Sequence, residues 1–222
     1  MGDARTGVSF LMLAAGAGER LGLGPKGSLE LQGRPLLCWL ADKAVQVAED
    51  VLVAVPAEHV EAIAALLPQC RVIAGGATRQ DSIALLAAKA SGEWLLLHEA
   101  ARPFASLALF RQVIAMARHH GCAGAFLSPV VPVARLRDGR VAEAYAGSEV
   151  GIFQTPQVYA RADMQRMLQH QASVPGWFAQ SPVQLALAAG VEVHVVPGEA
   201  CNLKITTADD WRMARHLAHL LA

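Results

Sequence analysis

The sequence has few cysteines, few aromatic residues, no excess of either charge and no long hydrophobic run. Its four cysteines lie far apart, form no Cys-x-x-Cys pair and have no histidine at finger spacing, which argues against a zinc finger and against a disulfide framework. The first apolar run, residues 8–15, is too short to cross a bilayer and lacks the flanking pattern of a signal peptide. We therefore expect a cytoplasmic protein that does not associate with a membrane.

The charge balance and the composition limit the class of partner and the number of domains. Lysine plus arginine equals aspartate plus glutamate at 19 each, so no overall field attracts the chain to nucleic acid or to an anionic membrane. Any anion site must be local. With 54% apolar residues, 5% aromatics and no repeat or linker in 222 residues, the sequence predicts one α/β domain over residues 1–222.

Short apolar runs alternate with segments that have apolar residues at helical spacing. The predicted strands are residues 8–13, 51–55, 71–74, 94–98, 124–127 and 191–196, and the predicted helices are residues 36–47, 59–67, 82–90, 107–119, 161–171, 181–189 and 208–221. This alternation predicts a three-layer α/β fold with a mainly parallel twisted sheet flanked by helices. In such sheets, ligands bind where loops leave the carboxyl ends of the strands.

Residues 133–145 depart from this alternation. Asp138-Gly139 lies between two stretches of alternating residues, which is the strongest short-range indication of a β-hairpin. An isolated hairpin is rarely stable, so a projecting arm at about residues 131–152 would pack on a second subunit. An ordinary surface hairpin is the alternative.

The loop after the first strand, residues 13–22 with the sequence LAAGAGERLG, is rich in small residues. Those at its start are Ala14, Ala15, Gly16, Ala17 and Gly18. Because they carry little bulk, successive backbone N–H groups can approach a polyphosphate closely. Arg20 adds a planar fork for phosphate oxygens, and Lys26 adds a compact positive charge. Together these residues predict a site for a nucleoside triphosphate.

Two other phosphate-binding motifs fit this loop less well. Gly16 and Gly18 match the first two glycines of the dinucleotide motif GxGxxG, but the third falls on Leu21. The acidic residue expected about 20 residues later is missing, because residues 34–37 begin a predicted helix. A Walker motif also fails, since no GxxxxGK precedes Lys26.

Residues 75–82, GGATRQDS, follow the third predicted strand and open a helix. The backbone at Gly76, the Arg79 guanidinium and the Ser82 hydroxyl could hold a base or a ribose at the helix N-terminus. The alternative is a glycine turn in which Ser82 caps the helix.

Residues 98–103, HEAARP, end the strand that we expect at the centre of the sheet. Glu99 would lie at the carboxyl tip, where a carboxylate can bind magnesium next to phosphates. Arg102 could hold a second anionic substrate. The alternative is a surface ion pair between Glu99 and Arg102, with His98 packed against the sheet.

Lys204 lies in an extended run before the last predicted helix, which Thr206 or Thr207 can cap. Lys204 could clamp a phosphate, or it could be a solvated lysine at a strand end. Residues 154–157, QTPQ, carry hydroxyl and amide groups where the chain returns from the arm, and alone they indicate little.

Together these segments resemble the 2-C-methyl-D-erythritol 4-phosphate cytidylyltransferase family, in order and over nearly the whole chain. The matching elements are AAGxGxRLG with PK, GGxxRxxS, H(D/E)AARP, QTPQ and NxKIT. The resemblance implies a Rossmann-like nucleotidyltransferase fold in which the phosphate of an acceptor attacks the α-phosphorus of CTP and releases pyrophosphate. The expected cofactor is Mg²⁺, and the expected partners are CTP, a polyol phosphate and a second copy of the chain bound through the arm.

The resemblance also assigns residues by motif position. The catalytic residues would be Arg20, Lys26 and Lys204. The nucleotide-binding residues would be Ala14, Ala15, Gly16, Ala17, Gly18, Gly76, Arg79, Ser82 and Ala100. Glu99 would bind the metal ion, and the acceptor would contact Arg102, Thr155 and Lys204.

The chain departs from the family pattern mainly where the acceptor is expected. Glu99 stands where the family usually has aspartate, which keeps the charge but adds a methylene. Pro132 and Val133 replace an aspartate and a threonine before the arm, and Gly147 replaces an arginine that reaches the acceptor phosphate of the neighbouring subunit. Ser181 lies in a segment that has lost its usual acidic pair. The nucleotide half is therefore better preserved than the acceptor half.

Several functions follow from this pattern. The first is magnesium-dependent transfer of CMP to 2-C-methyl-D-erythritol 4-phosphate, and the second is the same transfer to another polyol or sugar phosphate. A catalytically weak nucleotide-binding paralogue and a nucleotide-sugar or cofactor nucleotidyltransferase are further alternatives. A dehydrogenase is the most distant one, and it would require NAD(P) binding.

Overall fold

A computed structural model describes residues 5–16 and 29–221 of the chain. The strands, in chain order, are β1 (Val8–Leu13), β2 (Glu30–Leu31), β3 (Arg34–Pro35), β4 (Asp50–Val55), β5 (Arg71–Ala74), β6 (Trp94–Glu99), β7 (Cys122–Leu127), β8 (Val133–Arg137), β9 (Arg140–Tyr145), β10 (Ile152–Ala160) and β11 (His194–Pro197). The helices are α1 (Leu36–Ala44), α2 (Val60–Leu66), α3 (Arg79–Lys89), α4 (Leu107–His120), α5 (Arg161–Ser173), α6 (Pro182–Ala188) and α7 (Ala208–Leu217).

A seven-stranded sheet in the order β11-β7-β10-β6-β1-β4-β5 forms the middle layer. Its neighbouring strands pair in parallel, except that β10 runs antiparallel to both β6 and β7. The predicted mainly parallel sheet is thereby confirmed, with β6 at its centre. The last residue of β6, Glu99, is in register with Leu13 at the end of β1, so the two loops that follow leave the sheet side by side.

Two apolar clusters cover the two faces of the sheet, because alternate side chains of each buried strand point to opposite faces. In β1, Phe10 packs with α1, α2 and α4 on one face, and Leu11 packs with α3, α5 and α6 on the other. The ring of Phe10 lies 5.5 Å from that of Phe110 in α4. A third cluster forms beneath α7 and includes Leu36, Phe104 and Ile205.

Polar caps fix the ends of several helices. The Ser106 hydroxyl accepts a hydrogen bond from the Leu109 N–H at the start of α4, and Gly121 ends this helix with a φ of 92°, a backbone conformation that favours glycine. Thr207 caps α7 in a reciprocal arrangement with Asp210, which confirms one of the two predicted caps. These caps explain why the helices begin and end where they do.

The structure differs from the sequence-based predictions in one additional strand of the seven-stranded sheet and in the ends of several elements. The antiparallel strand β10 was not predicted, since Pro156 and an irregular register between Phe153 and Gln157 interrupt the alternation of residues. The edge strand was predicted at residues 191–196 and forms at His194–Pro197. Helix α1 begins at Leu36 as predicted, because Arg34–Pro35 pairs with Glu30–Leu31 in a small hairpin, and it ends at Ala44, before the predicted end at residue 47.

The predicted arm is confirmed as a hairpin. Strands β8 and β9 pair with each other through a turn in which Asp138 and Gly139 both have positive φ, as the favoured two-residue hairpin turn requires. Leu136 and Val141 on the arm are 68% and 67% exposed. Across residues 5–16 and 29–221, none of the helices is both long and apolar enough to cross a membrane.

Candidate functional site

A cavity of about 420 Å³ opens at the carboxyl edge of the sheet. Among the described residues, its lining consists of Leu13, Ala14, Ala15, Gly16, Gly76, Ala77, Thr78, Arg79, Ser82, Glu99, Ala100, Ala101 and Lys204. Every described member of the predicted nucleotide-binding and catalytic sets lines this cavity, and so does Glu99. The fold thus brings together segments that are far apart in the sequence, where the loops leave β1, β5 and β6.

Part of the predicted phosphate site lies outside the described residues. This applies to Ala17, Gly18, Arg20 and Lys26, so the role of each stays a prediction. The described start of the same loop is anchored, because the Ala14 N–H donates to the Ala54 carbonyl of β4 at 2.8 Å. The loop therefore leaves β1 at the mouth of the cavity.

The loop between β5 and α3 requires glycine at two successive positions. A Cβ on Gly75 would lie 2.6 Å from the Cβ of Ala15, and a Cβ on Gly76 would lie 2.2 Å from the Cβ of Asp81. Side-chain carbon atoms do not approach this closely, so any larger residue would displace the loop. The two glycines allow the backbone to line the cavity next to the β1 loop.

Ser82 holds this loop in a way that the sequence did not indicate. The alternative in which Ser82 caps the helix is wrong, because α3 begins at Arg79 and the Thr78 hydroxyl caps it by accepting from the Asp81 N–H at 3.1 Å. The Ser82 hydroxyl instead accepts from the Gly76 N–H at 3.0 Å and donates to the Thr78 carbonyl at 3.0 Å. It therefore ties the glycine loop to the first turn of α3.

Glu99 is the point where three cationic side chains meet. Its Oε1 lies 2.9 Å from Arg79 Nη2 and 2.8 Å from Lys204 Nζ. Its Oε2 lies 3.4 Å from Arg102 Nε, so the ion pair considered as an alternative exists but is buried. The Glu99 side chain is 10% exposed, whereas those of Arg79 and Lys204 are 32% and 36% exposed. These two cations therefore present their charge to the cavity.

The electrostatics of the cluster suit an anionic ligand. Burial alone would raise the pKa of Glu99, but Arg79, Lys204 and Arg102 together outweigh it and lower the pKa to about 2. Glu99 is therefore ionised at neutral pH. Because three cations surround one carboxylate, the cluster keeps a positive charge, which favours a polyphosphate in the cavity.

Arg102 and Thr155, which were predicted to contact the acceptor, lie behind the described wall of the cavity. The Arg102 guanidinium donates to the carbonyls of Asn202 at 2.7 Å and Phe153 at 3.2 Å. The Thr155 hydroxyl accepts from the Glu99 N–H at 3.2 Å, and the peptide bond that follows Thr155 is cis. Both side chains are buried and support the Glu99 segment, and their contact with an acceptor stays a prediction.

Two further residues support this segment. Lys43 was not predicted, whereas the packing of His98 against the sheet, which was considered as an alternative, is confirmed. The Nζ of Lys43 in α1 donates to the carbonyls of Pro103 at 2.9 Å and Ala105 at 3.0 Å. His98 is fully buried, and its Nε2 lies 2.9 Å from the Arg102 carbonyl. Burial lowers the pKa of His98 to about 3, so its ring is neutral and donates to that carbonyl. The sequence gives no indication of the Lys43 contacts, because they span about 60 residues.

Among the described residues, the cavity offers one carboxylate, that of Glu99, to a metal ion. Within the described ranges, no group of three or more histidine, cysteine, aspartate or glutamate side chains could hold a metal. Mg²⁺ usually keeps several waters and is bound by one or two carboxylates together with substrate phosphates. The lone Glu99 carboxylate at the cavity wall therefore fits a magnesium ion that arrives with a triphosphate, and it does not fit a cage made entirely of protein ligands.

Comparisons with known proteins point to one family. A model of the 2-C-methyl-D-erythritol 4-phosphate cytidylyltransferase family matches residues 8–219. The protein of that name from Thermus thermophilus is 38% identical over 219 residues, which cover 96% of this chain and 98% of the relative. The protein of that name from Aquifex aeolicus is 29% identical over 208 residues, which cover 93% of this chain and 95% of the relative.

Solved structures show the same fold. The crystal structure of the Thermus thermophilus enzyme superposes with a TM-score of 0.76 at 30% identity, covering 97% of this chain and 99% of that one. The 4-diphosphocytidyl-2C-methyl-D-erythritol synthase from Anaerococcus prevotii superposes with a TM-score of 0.85 at 24% identity, covering 98% of this chain and 100% of that one. The predicted nucleotidyltransferase fold is thereby confirmed.

Proposed function

The chain belongs to the 2-C-methyl-D-erythritol 4-phosphate cytidylyltransferase family, and we propose that the cavity at the carboxyl edge of its sheet is where it acts. The protein is a nucleotidyltransferase that transfers CMP from CTP to 2-C-methyl-D-erythritol 4-phosphate in isoprenoid precursor synthesis and releases pyrophosphate. The observation that carries the location is the Arg79, Glu99 and Lys204 cluster, which lines the cavity together with residues of the two glycine loops.

The reaction requires positioning and charge stabilisation more than covalent chemistry by the protein. An oxygen of the acceptor phosphate forms a bond to the α-phosphorus of CTP. The bond between the α-phosphorus and the oxygen that bridges it to the β-phosphate breaks, and pyrophosphate leaves with the electron pair of that bond. The backbone of the glycine loops would cradle the phosphates, while Arg20, Lys26 and Lys204 would offset the charge that develops during transfer. Arg79, which lines the cavity, adds a further cation.

A magnesium ion would be held by Glu99 together with the phosphates of CTP. When bound, such an ion neutralises phosphate charge and favours departure of pyrophosphate. The support for this proposal is the single ionised carboxylate next to two cavity-facing cations. Loss of transfer on chelation with EDTA, restored by added Mg²⁺, is the expected result.

One observation favours a second acceptor, another polyol or sugar phosphate. A Cβ on Gly147 would lie 2.3 Å from the carbonyl oxygen of Pro129, so the backbone at this position leaves no room for any side chain. An arginine at this place, which the resemblance leads one to expect, would require the chain around Pro129 to move. Without such an arginine, the acceptor phosphate would depend on other contacts, and the enzyme would accept a wider range of acceptors.

We also propose a homodimer formed through the arm. The support is that β8 and β9 pair only with each other among the described strands, and that Leu136 and Val141 are largely exposed on them. Leu136→Asp should shift the protein toward a monomer in sedimentation velocity, whereas Leu187→Asp, at an exposed position of α6, should not. An unchanged sedimentation coefficient in the first variant would count against the arm as the interface.

The expected cytoplasmic location stays a prediction.

The test of the function is a pyrophosphate-release assay with each nucleoside triphosphate, Mg²⁺ and a panel of polyol and sugar phosphates. We expect turnover with CTP and 2-C-methyl-D-erythritol 4-phosphate, and turnover with further acceptors if Gly147 has widened the range. Saturable CTP binding without turnover on any acceptor would favour the weak paralogue instead. Turnover with another triphosphate in preference to CTP would favour a different nucleotidyltransferase.

A further inference from the structure

The same carboxylate oxygen of Glu99 holds two cations that come from different parts of the chain. Arg79 is the first residue of α3 and Lys204 lies between β11 and α7, yet Nη2 of the one and Nζ of the other lie 2.9 and 2.8 Å from Oε1. Glu99 is the one acidic side chain among the described residues that line the cavity. Without it, two positive charges would lie close together at the cavity wall with no carboxylate between them.

We propose that Glu99 is an internal anion that holds Arg79 and Lys204 in place before the nucleotide arrives, and that the triphosphate must displace it from these cations. Nucleotide binding is then an exchange of partners, in which the cations turn from the carboxylate to the phosphates. This proposal rests on the function proposed above, because it assumes that the cavity binds a triphosphate. It assigns Glu99 a role that is separate from binding a metal ion.

The structure shows why the exchange needs a divalent cation. Glu99 is 8% exposed as a residue and lies at the end of the central strand, so water replaces the lost cations only in part. A phosphate placed on Arg79 and Lys204 would also lie next to the Glu99 charge, and like charges that are poorly screened repel. A divalent cation bound with the nucleotide gives Glu99 a new partner and removes this penalty.

The proposal predicts a change in phosphate affinity that is opposite in sign to the change expected when a simple binding residue is lost. Loss of a residue that only supports the fold lowers or leaves unchanged the affinity for a metal-free ligand. Loss of the Glu99 charge should raise it, because both cations become available to phosphate. A gain in affinity cannot arise from partial unfolding.

Isothermal titration calorimetry of CTP and of pyrophosphate, each with EDTA and with Mg²⁺, tests the proposal. In EDTA, Glu99→Gln should bind both probes at least about tenfold more tightly than the wild type, which corresponds to ~1.4 kcal/mol. In the wild type, Mg²⁺ should increase the affinity for both probes, and in Glu99→Gln this increase should largely disappear. Glu99→Asp keeps the charge, so its binding in EDTA should stay weak.

Glu192→Gln is the matched control, since it removes one carboxylate from an exposed position that does not line the cavity. It should bind both probes like the wild type. Equal or weaker binding of both probes by Glu99→Gln in EDTA overturns the exchange. In that case, transfer of CMP by the wild type would still support the proposed function. A wild type that binds pyrophosphate but neither binds CTP nor uses it as a substrate would contradict the proposed function alone.

Discussion

The Glu99→Gln substitution should lower the stability of the fold by an amount that depends on pH. Glu99 is ionised and surrounded by Arg79, Lys204 and Arg102. Burial opposes its ionisation, but the cations lower its pKa from an ordinary value of 4.5 to about 2. In the unfolded chain these contacts are lost, so the same group regains an ordinary pKa.

The size of the effect follows from this difference in pKa. A fall from 4.5 to about 2 corresponds to about 3 kcal/mol of stabilisation at neutral pH. Arg79 and Lys204 are each about one-third exposed, and solvent screens their attraction, so we expect about 2–3 kcal/mol. The stabilisation is fully present above pH 4.5. It declines as the pH falls below that value and is absent below about pH 2, where Glu99 is protonated in the folded chain as well.

Urea denaturation of the wild type and of Glu99→Gln between pH 7 and pH 2 measures this difference. The free energies of unfolding should differ by about 2–3 kcal/mol at pH 7 and converge as the pH falls toward 2. Asp50, whose pKa is also lowered, is common to both proteins and cancels in the difference. A difference that is absent at pH 7, or constant across the whole range, would refute the reasoning.

Three further predictions concern the supports of the site. Lys43→Met should lose the hydrogen bonds to the carbonyls of Pro103 and Ala105. This loss should lower the free energy of unfolding by about 1–3 kcal/mol and reduce kcat in the pyrophosphate-release assay. Lys89→Met, at an exposed position, should change neither the free energy of unfolding nor kcat. Gly76→Ala should raise the KM for CTP, because its Cβ would meet Asp81; an unchanged KM would contradict the close approach. Lys26→Ala should abolish transfer with an unchanged melting temperature, and rates like those of the wild type would disprove its assigned phosphate contact.

Local patterns in the sequence predicted much of the fold and the main parts of the site. Apolar runs predicted β1, β4, β5 and β6 nearly to the residue, because a buried parallel strand needs apolar side chains on both faces. The antiparallel β10 could not be predicted in this way. Its pairing with β6 and β7 depends on residues 25 to 66 positions away, and its proline and irregular register hide the alternation that normally identifies a strand.

The order of the motifs along the chain determined the family, and patterns of neighbouring residues placed Glu99 at a strand tip and predicted the hairpin at Asp138-Gly139. Tertiary structure alone decided what surrounds them. It placed Arg79 and Lys204 on one oxygen of Glu99, buried Arg102 behind the cavity and brought Lys43 beneath the same segment. Such contacts join residues far apart in sequence, and their strength depends on burial, which no local pattern encodes.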